Sequence, residues 1–338
     1  MQKTSLSKQT TALIIRSLLD DRDAVKLYSS KKKKNFYFNT ATINVRTLQE
    51  NHDVSKIKLV AQNLEKARID IAGIQECRER GFGNFVEGNY EFHYSGYKKF
   101  PGGKAQSGVM IAIRKSPKIE IKGIEHVSHR LITADMVIQG IKMKVIVAYA
   151  PTERGDSDKK KAETVKNTFW TALNKEVKKV EKEKKVNKQQ KLMILGDFNS
   201  TSSAITHHAT NFHGQEIPGI VNNDNGHRLT RFLAENKLNV ASTFFTHKPV
   251  NSYTWYSNDG VTKKIIDLCL TDKFLQKHCL DSRVRRSYDF HSDHRMVVSR
   301  FRVKKKRIFK KKANKSERIK GCLTFLYICV RSNIPVRV

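Results

Sequence analysis

The sequence predicts an α/β fold, and three observations carry that reading. Strand-length apolar runs alternate with amphipathic helical stretches from residue 36 to about 303, no linker-like break in composition interrupts them, and no internal repeat is present. The 338 residues are 38% hydrophobic and include 17 Phe, 10 Tyr and 2 Trp, enough apolar surface for a real core. We read one domain over 36–303. A basic, flexible leader (1–35) precedes it, and a basic segment with a short apolar tail (304–338) follows.

The elements follow in order. "FYFNTATINV" (36–45) is rich in β-branched and aromatic residues and predicts a strand. "VSKIKLVAQNLEKA" (54–67) carries helical periodicity and is opened by Asp53 or Ser55. "IDIAGIQE" (69–76) is a short buried strand, and "YEFHYSGY" and "SGVMIAIRK" (107–115) are strands separated by the glycine-rich "PGGKAQSG". "IKMKVIVAYAPT" (141–152) alternates, then runs apolar, and stops at Pro151. A long charged helix covers about 157–187. "LMILGDFNS" (192–200) follows as a buried strand, then a loop containing "NNDNG" (222–226), a helix over 227–236, and further strands to about 303.

Charge narrows the partners. The net charge is +33, from 65 Lys+Arg against 32 Asp+Glu. The two ends hold much of it, yet residues 36–301 keep a surplus of +15. A basic body favours a polyanion, either nucleic acid or an anionic membrane surface. Five cysteines with no C-x-x-C pair argue against a disulfide framework or a cysteine zinc site and fit a reducing compartment. "ALIIRSLL" is too short, and too closely followed by "DDRD", to be a secretory signal. "CLTFLYICV" (322–330) is too short to span a bilayer. The expectation is an intracellular protein, nuclear or cytoplasmic, without a membrane span; the basic clusters 31–34 and 304–312 favour the nucleus.

The apolar runs share a habit: each ends in a polar residue of a catalytic type. They deliver Asn44, Glu76, Tyr149, and Asp197 with Asn199; "KKIIDLCL" sets Asp267 in an apolar strand, and "HSDHRMVVSRF" puts Asp293 and His294 just before the last one. Sites in sheet proteins gather where strand ends open into loops, so these residues could converge on one pocket. Carboxylates and amides without cysteine suit a hard cation, Mg²⁺ first and Mn²⁺ as the alternative. A carboxylate beside an asparagine can orient and deprotonate a water, and a histidine paired with a buried aspartate is a proton donor near neutrality. Together they suit in-line attack on a phosphate ester.

In that order, "TINVRTL", "GIQE", "AYAPT", "LGDFN", "YTWYS", "IDLCL" and "SDH" resemble the endonuclease/exonuclease/phosphatase superfamily. "NDNGHRLTRFLAEN", "STFFTHK" and "YTWYSNDG" resemble one branch of it more closely. That branch is the apurinic-like endonuclease domain of non-LTR (LINE, RTE-like) retrotransposons and the related craniofacial development protein 2-like sequences. The resemblance covers about 38–303. It implies a DNase I-like four-layer α/β sandwich, two mixed β-sheets packed face to face with helices outside. It also implies metal-dependent cleavage of DNA phosphodiesters leaving a 3′-hydroxyl, with RNA as a further possible partner.

Carried over by motif, Glu76 holds the metal with Asn44 beside it, and Asp293 is a metal or neighbouring carboxylate. Asp197 and Asn199 position and activate water, His294 hydrogen-bonded by Asp267 contacts the scissile phosphate, and Tyr149 is a phosphate contact. Arg130 and Trp255 lie near the DNA. Ile43, His129, Leu268 and His291 stand where that branch usually has Trp, Asp, Tyr and Gly, which implies a drifted copy with reduced activity. The usual element continues into a reverse transcriptase, so a retrotransposon-derived fragment is expected. Two other readings stay open: a phosphomonoesterase or lipid phosphodiesterase of the same superfamily, and a catalytically idle nucleic-acid-binding module.

Overall fold

The computed structural model describes residues 35–48, 56–97, 107–152, 159–186, 190–202 and 222–304. The leader, the tail, the proposed helix caps Asp53 and Ser55, and most of the glycine-rich loop fall outside these residues.

Among these described residues fifteen strands, four α-helices and two short 3₁₀ turns are formed. The strands are β1 (Asn35–Asn44), β2 (Ile71–Gln75), β3 (Phe82–Glu87), β4 (Tyr90–Ser95), β5 (Val109–Arg114), β6 (Ile119–Ser128), β7 (Leu131–Ile138) and β8 (Ile141–Tyr149). They continue as β9 (Lys191–Asp197), β10 (Asn239–Val240), β11 (Trp255–Tyr256), β12 (Lys263–Lys264), β13 (Asp267–Thr271), β14 (Cys279–Arg285) and β15 (Met296–Lys304). The helices are α1 (Lys56–Lys66), α2 (Lys159–Val186), α3 (Asp224–Asn236) and α4 (Lys273–His278).

A seven-stranded sheet runs β14-β15-β1-β2-β5-β4-β3, a six-stranded sheet runs β10-β13-β9-β8-β7-β6, and β11 and β12 form a hairpin. Both large sheets are mixed: β1–β2 and β8–β9 are parallel pairs within otherwise antiparallel sheets. Period-two alternation sends each strand's side chains into two different cores. In β5, Val109, Ile111 and Ile113 face the opposite sheet, where they meet Val145, Val147 and Leu195. Met110 and Ala112 face away, into the core that α1 covers with Val60 and Leu64. In β8, Ile146 and Ala148 turn outward onto Phe169, Trp170 and Leu173 of α2 and Leu229 and Phe232 of α3. Helix, sheet, sheet, helix: these are the four expected layers.

Gly73 lets the sheets close on each other. A Cβ there would lie 2.8 Å from Leu195 Cβ and 3.2 Å from Val147. The strands β3, β6 and β7 are additions to the elements read from sequence. The 227–236 helix is corrected at its start: α3 begins at Asp224 because Asn223 accepts the Gly226 N–H and caps it. Asp267 opens β13 rather than lying inside it.

Candidate active site at the seam of the two sheets

Six of the strand-end residues meet at one end of the sandwich. β1 delivers Asn44, β2 leads directly into Glu76, β8 ends on Tyr149, β9 ends on Asp197, β13 opens on Asp267, and His294 stands just before β15. Register fixes part of this, since Asp197 lies between Tyr149 on one neighbouring strand and Asp267 on the other.

Three hydrogen-bonded contacts then tie one sheet to the other. The Tyr149 hydroxyl donates to Glu76 Oε1 at 2.8 Å. Asn44 Nδ2 donates to Glu76 Oε1 at 2.9 Å and to Asp197 Oδ2 at 3.0 Å. His294 Nδ1 lies 2.9 Å from Asp267 Oδ2, while Nε2 faces Asp197 Oδ2 at 4.0 Å. Asn44, Asp197 and Asp267 are essentially inaccessible to solvent. Asp197 Oδ1 accepts the Asn199 N–H at 2.9 Å, and Asn199 Nδ2 donates to Ala150 O at 3.0 Å.

The loops that carry these groups adopt demanding backbone conformations. Glu76 (φ 53°) and Asn199 (φ 46°) are left-handed, as are Arg46, Arg78 and His291 nearby in sequence. Such residues cost of order 1–3 kcal/mol each and persist only where surrounding bonds over-determine them. Those bonds come from residues the sequence reading did not single out. The Arg46 N–H donates to Asn44 Oδ1, Ser292 Oγ donates to Asn44 O, and Arg78 pairs with Glu76 Oε2 at 3.1 Å. Asn223 Nδ2 donates to Asn199 O at 2.8 Å, and Asn225 Nδ2 to Pro151 O at 2.7 Å. The "NNDNG" stretch, read as a loop, therefore braces the Asn199 turn.

The remaining candidates border this network. Asp293 Oδ2 accepts the Trp255 indole N–H at 2.9 Å, and its Oδ1 faces Arg46 at 3.9 Å. Trp255 also bridges main chain to His294. The Arg130 guanidinium lies over the Tyr149 ring at 5.0 Å.

Electrostatics follow from burial and proximity. Burial, then the charge of Asp267, lift Asp197 to about 7, against the pull of His294 and the donors on its oxygens. Burial alone would lower His294, but the charge and hydrogen bond of Asp267, with Asp197 and Asp293 adding to them, raise it to about 9. Burial and the Glu76 charge push the Tyr149 hydroxyl well above its usual value, so it stays a proton donor.

The donor set suits a divalent metal. Ligand atoms of Asp197, Asp267 and His294 lie within 4.8 Å of one another, and could hold an ion. Among the described residues the buried Asp267 Oδ1 and Asp293 Oδ1 find no hydrogen-bond partner, and all but one of the donors are hard oxygens.

Two mixed sheets joined by carboxylates, an asparagine and a histidine at one end define a DNase I-like sandwich. The chain belongs to the endonuclease/exonuclease/phosphatase family, whose model matches residues 41–294. It is 27% identical over 272 residues to craniofacial development protein 2 of Bos taurus, covering 78% of this chain and 41% of that protein. The chain thus spans about two fifths of the length of the curated relatives it matches. In fold it is similar to the AP endonuclease LMAP from Leishmania major, with 12% identity, a TM-score of 0.59, and coverage of 79% of this chain and 88% of that one. It is also similar to the endonuclease domain of TRAS1, a telomere-specific non-LTR retrotransposon, with 14% identity, a TM-score of 0.50, and coverage of 79% and 99%. Among the described residues no helix is long and apolar enough to cross a membrane.

Proposed function

We propose that the chain is a divalent-metal-dependent endonuclease that hydrolyses DNA phosphodiester bonds and leaves a 3′-hydroxyl. Its catalytic domain is residues 36–303, of retrotransposon origin, and it acts inside the cell, in the nucleus or cytoplasm. The observation that carries this reading is the cross-sheet network: three contacts drawn from opposite sheets bring a water-handling carboxylate, a charged histidine and a glutamate held by Tyr149, Asn44 and Arg78 to one end.

Asp197 is the proton acceptor for water, since a buried carboxylate lifted to about 7 is matched to that task near neutral pH. Asn199 and Asn44 fix its two oxygens. His294, held protonated by Asp267, donates through Nε2 to a phosphate oxygen. Tyr149 orients Glu76. A bound Mg²⁺ or Mn²⁺ would supply charge neutralisation at the phosphate, with Glu76 as its principal holder and Asp293 as a neighbouring carboxylate; the Asp197–Asp267–His294 group, whose histidine is protonated, serves the proton steps instead. Asn44 aims its amide nitrogen at the carboxylates and spends its oxygen on Arg46, so it holds Glu76 in place rather than ligating through oxygen. Arg130 and Trp255 flank the DNA.

The test is nicking of supercoiled plasmid with Mg²⁺ or Mn²⁺, with and without EDTA. Asp197→Ala and His294→Ala should each lose about 10²- to 10⁴-fold in rate. Wild-type nicking that survives EDTA, or variants that nick as the wild type does, would sink the reading.

A further inference from the structure

Beside Glu76 and Tyr149, four chain segments lie edge to edge. The Gly81 N–H donates to Tyr97 O at 2.8 Å, and Arg80 bridges Tyr97. Ser95, which sits opposite Phe82 in the β3–β4 ladder, donates through Oγ to Ser128 O at 2.8 Å. The Gly108 N–H donates to His129 O at 3.0 Å, and the Cys77 N–H to Gly108 O at 3.2 Å. The Tyr149 N–H donates to Arg130 O at 2.9 Å. The edge of one sheet is thereby laced to the β6–β7 turn of the other, next to the proposed site.

One ring stack and one tilted ring pair lie along this strip. Tyr97 covers His129 with centroids 3.8 Å apart and planes 18° from parallel. The Phe82 ring lies tilted beside His126 with centroids 5.1 Å apart, and Phe82 is 61% exposed on the edge strand. Arg80 adjoins the stack through Tyr97, Arg78 pairs with Glu76, and Arg130, next to His129 in sequence, lies over the Tyr149 ring. Burial keeps His129 far below the ordinary histidine value, so this ring stays a neutral platform beneath Tyr97.

We infer that this strip is a track for unpaired DNA, running from Phe82 through the Tyr97–His129 stack to Arg130 and the scissile position. It rests on the endonuclease reading for the identity of the polyanion. Three properties favour an unpaired strand. Aromatic faces bind bases only when those bases are unstacked from a duplex. Arginines beside the rings, Arg80 next to Tyr97 and Arg130 next to His129, suit the accompanying phosphates. The strip is also continuous, by main-chain bonds, with the residues assigned to the phosphate.

The track predicts that a single-stranded extension strengthens binding. Fluorescence anisotropy in EDTA would compare a blunt duplex with the same duplex carrying an extension of about ten nucleotides. For wild type, the extension should tighten binding by about tenfold or more. Phe82→Ala and Tyr97→Ala should each remove most of that gain. Val86→Ser, a change on the same edge strand outside the track, should leave it intact. Because Phe82 is exposed, its variant should fold even if Tyr97→Ala does not. An extension that gives no gain, or a gain that both variants keep, overturns the track. Plasmid nicking, run in parallel, reports on the endonuclease reading separately: nicking without an extension effect refutes only the track. An extension effect lost in the variants, without nicking, supports the track and refutes the nuclease.

Discussion

His129 stacks on Tyr97, and burial first, then the charge of Arg130, hold its imidazole at a pKa of about 4. In the unfolded chain the same ring titrates near 6.5, so between those values the unfolded state binds the extra proton. The contribution of His129 to stability is therefore complete above pH 6.5 and is lost as the pH falls towards 4. His129→Gln should flatten that acid-side decline. Urea midpoints measured at pH 7 and pH 4.5 check it, and equal declines in both proteins would refute the buried neutral ring. The sequence marked His129 only as a departure from a family pattern, because nothing local reports a stack with a residue on another strand. The site residues illustrate the same limit. Asn44, Glu76, Tyr149, Asp197, Asp267 and His294 were legible as positions, since each ends or adjoins an apolar run. The Asp267–His294 pair came only through the family resemblance, and the bonds of Asn44 and Tyr149 to Glu76 and Asp197 were not legible, because those partners lie 32 to 153 positions apart. Nor could spacing reveal that Asn44 turns its nitrogen, not its oxygen, to the carboxylates.

Most elements that bury a whole face announced themselves, but β7, largely buried yet interrupted by Thr133 and Asp135, did not. β2, β5, β8 and β9 are nearly continuous apolar runs, buried along most of their length. β3 alternates exposed with half-buried residues at a sheet edge, and β6 carries Glu120, Lys122 and Glu125 among its apolar residues, so neither shows the usual signal. Close approach is likewise an element-scale property. Gly73→Ala would press a Cβ onto Leu195 Cβ, a rigid part of the opposite strand, and should cost about 1–3 kcal/mol. Gly123→Ala in β6, where nothing lies within 4 Å, is the control and should leave the urea midpoint unchanged or slightly raised. Asn223→Ala removes the α3 cap and the brace on Asn199 together. It should lower stability by about 1–2 kcal/mol and slow nicking as well; a stable variant with full activity would show that the brace is dispensable.

At the scale of the whole molecule, charge and catalysis make separable predictions. The surplus of Lys and Arg extends well beyond the proposed site, whose own groups are mostly acidic. DNA affinity should then come chiefly from contacts along the phosphate backbone, and each neutralised phosphate releases counterions. With about six to ten such contacts, binding should weaken by about 10³- to 10⁵-fold between roughly 50 and 200 mM salt. Asp197→Ala should keep the same slope of log affinity against log salt, because the substitution adds no phosphate contact and removes none. It should nonetheless lose nicking, because the water-handling carboxylate is gone. Anisotropy titrations in EDTA across that salt range, with nicking assayed on the same preparations, separate the two properties. An unchanged slope with nicking lost identifies an enzyme whose binding and chemistry occupy different surfaces. An equal slope with no nicking even in wild type identifies a module that binds and no longer cuts. A shallow slope in both proteins would mean that the positive charge lies off the path of the DNA, and the polyanion argument would fall with it.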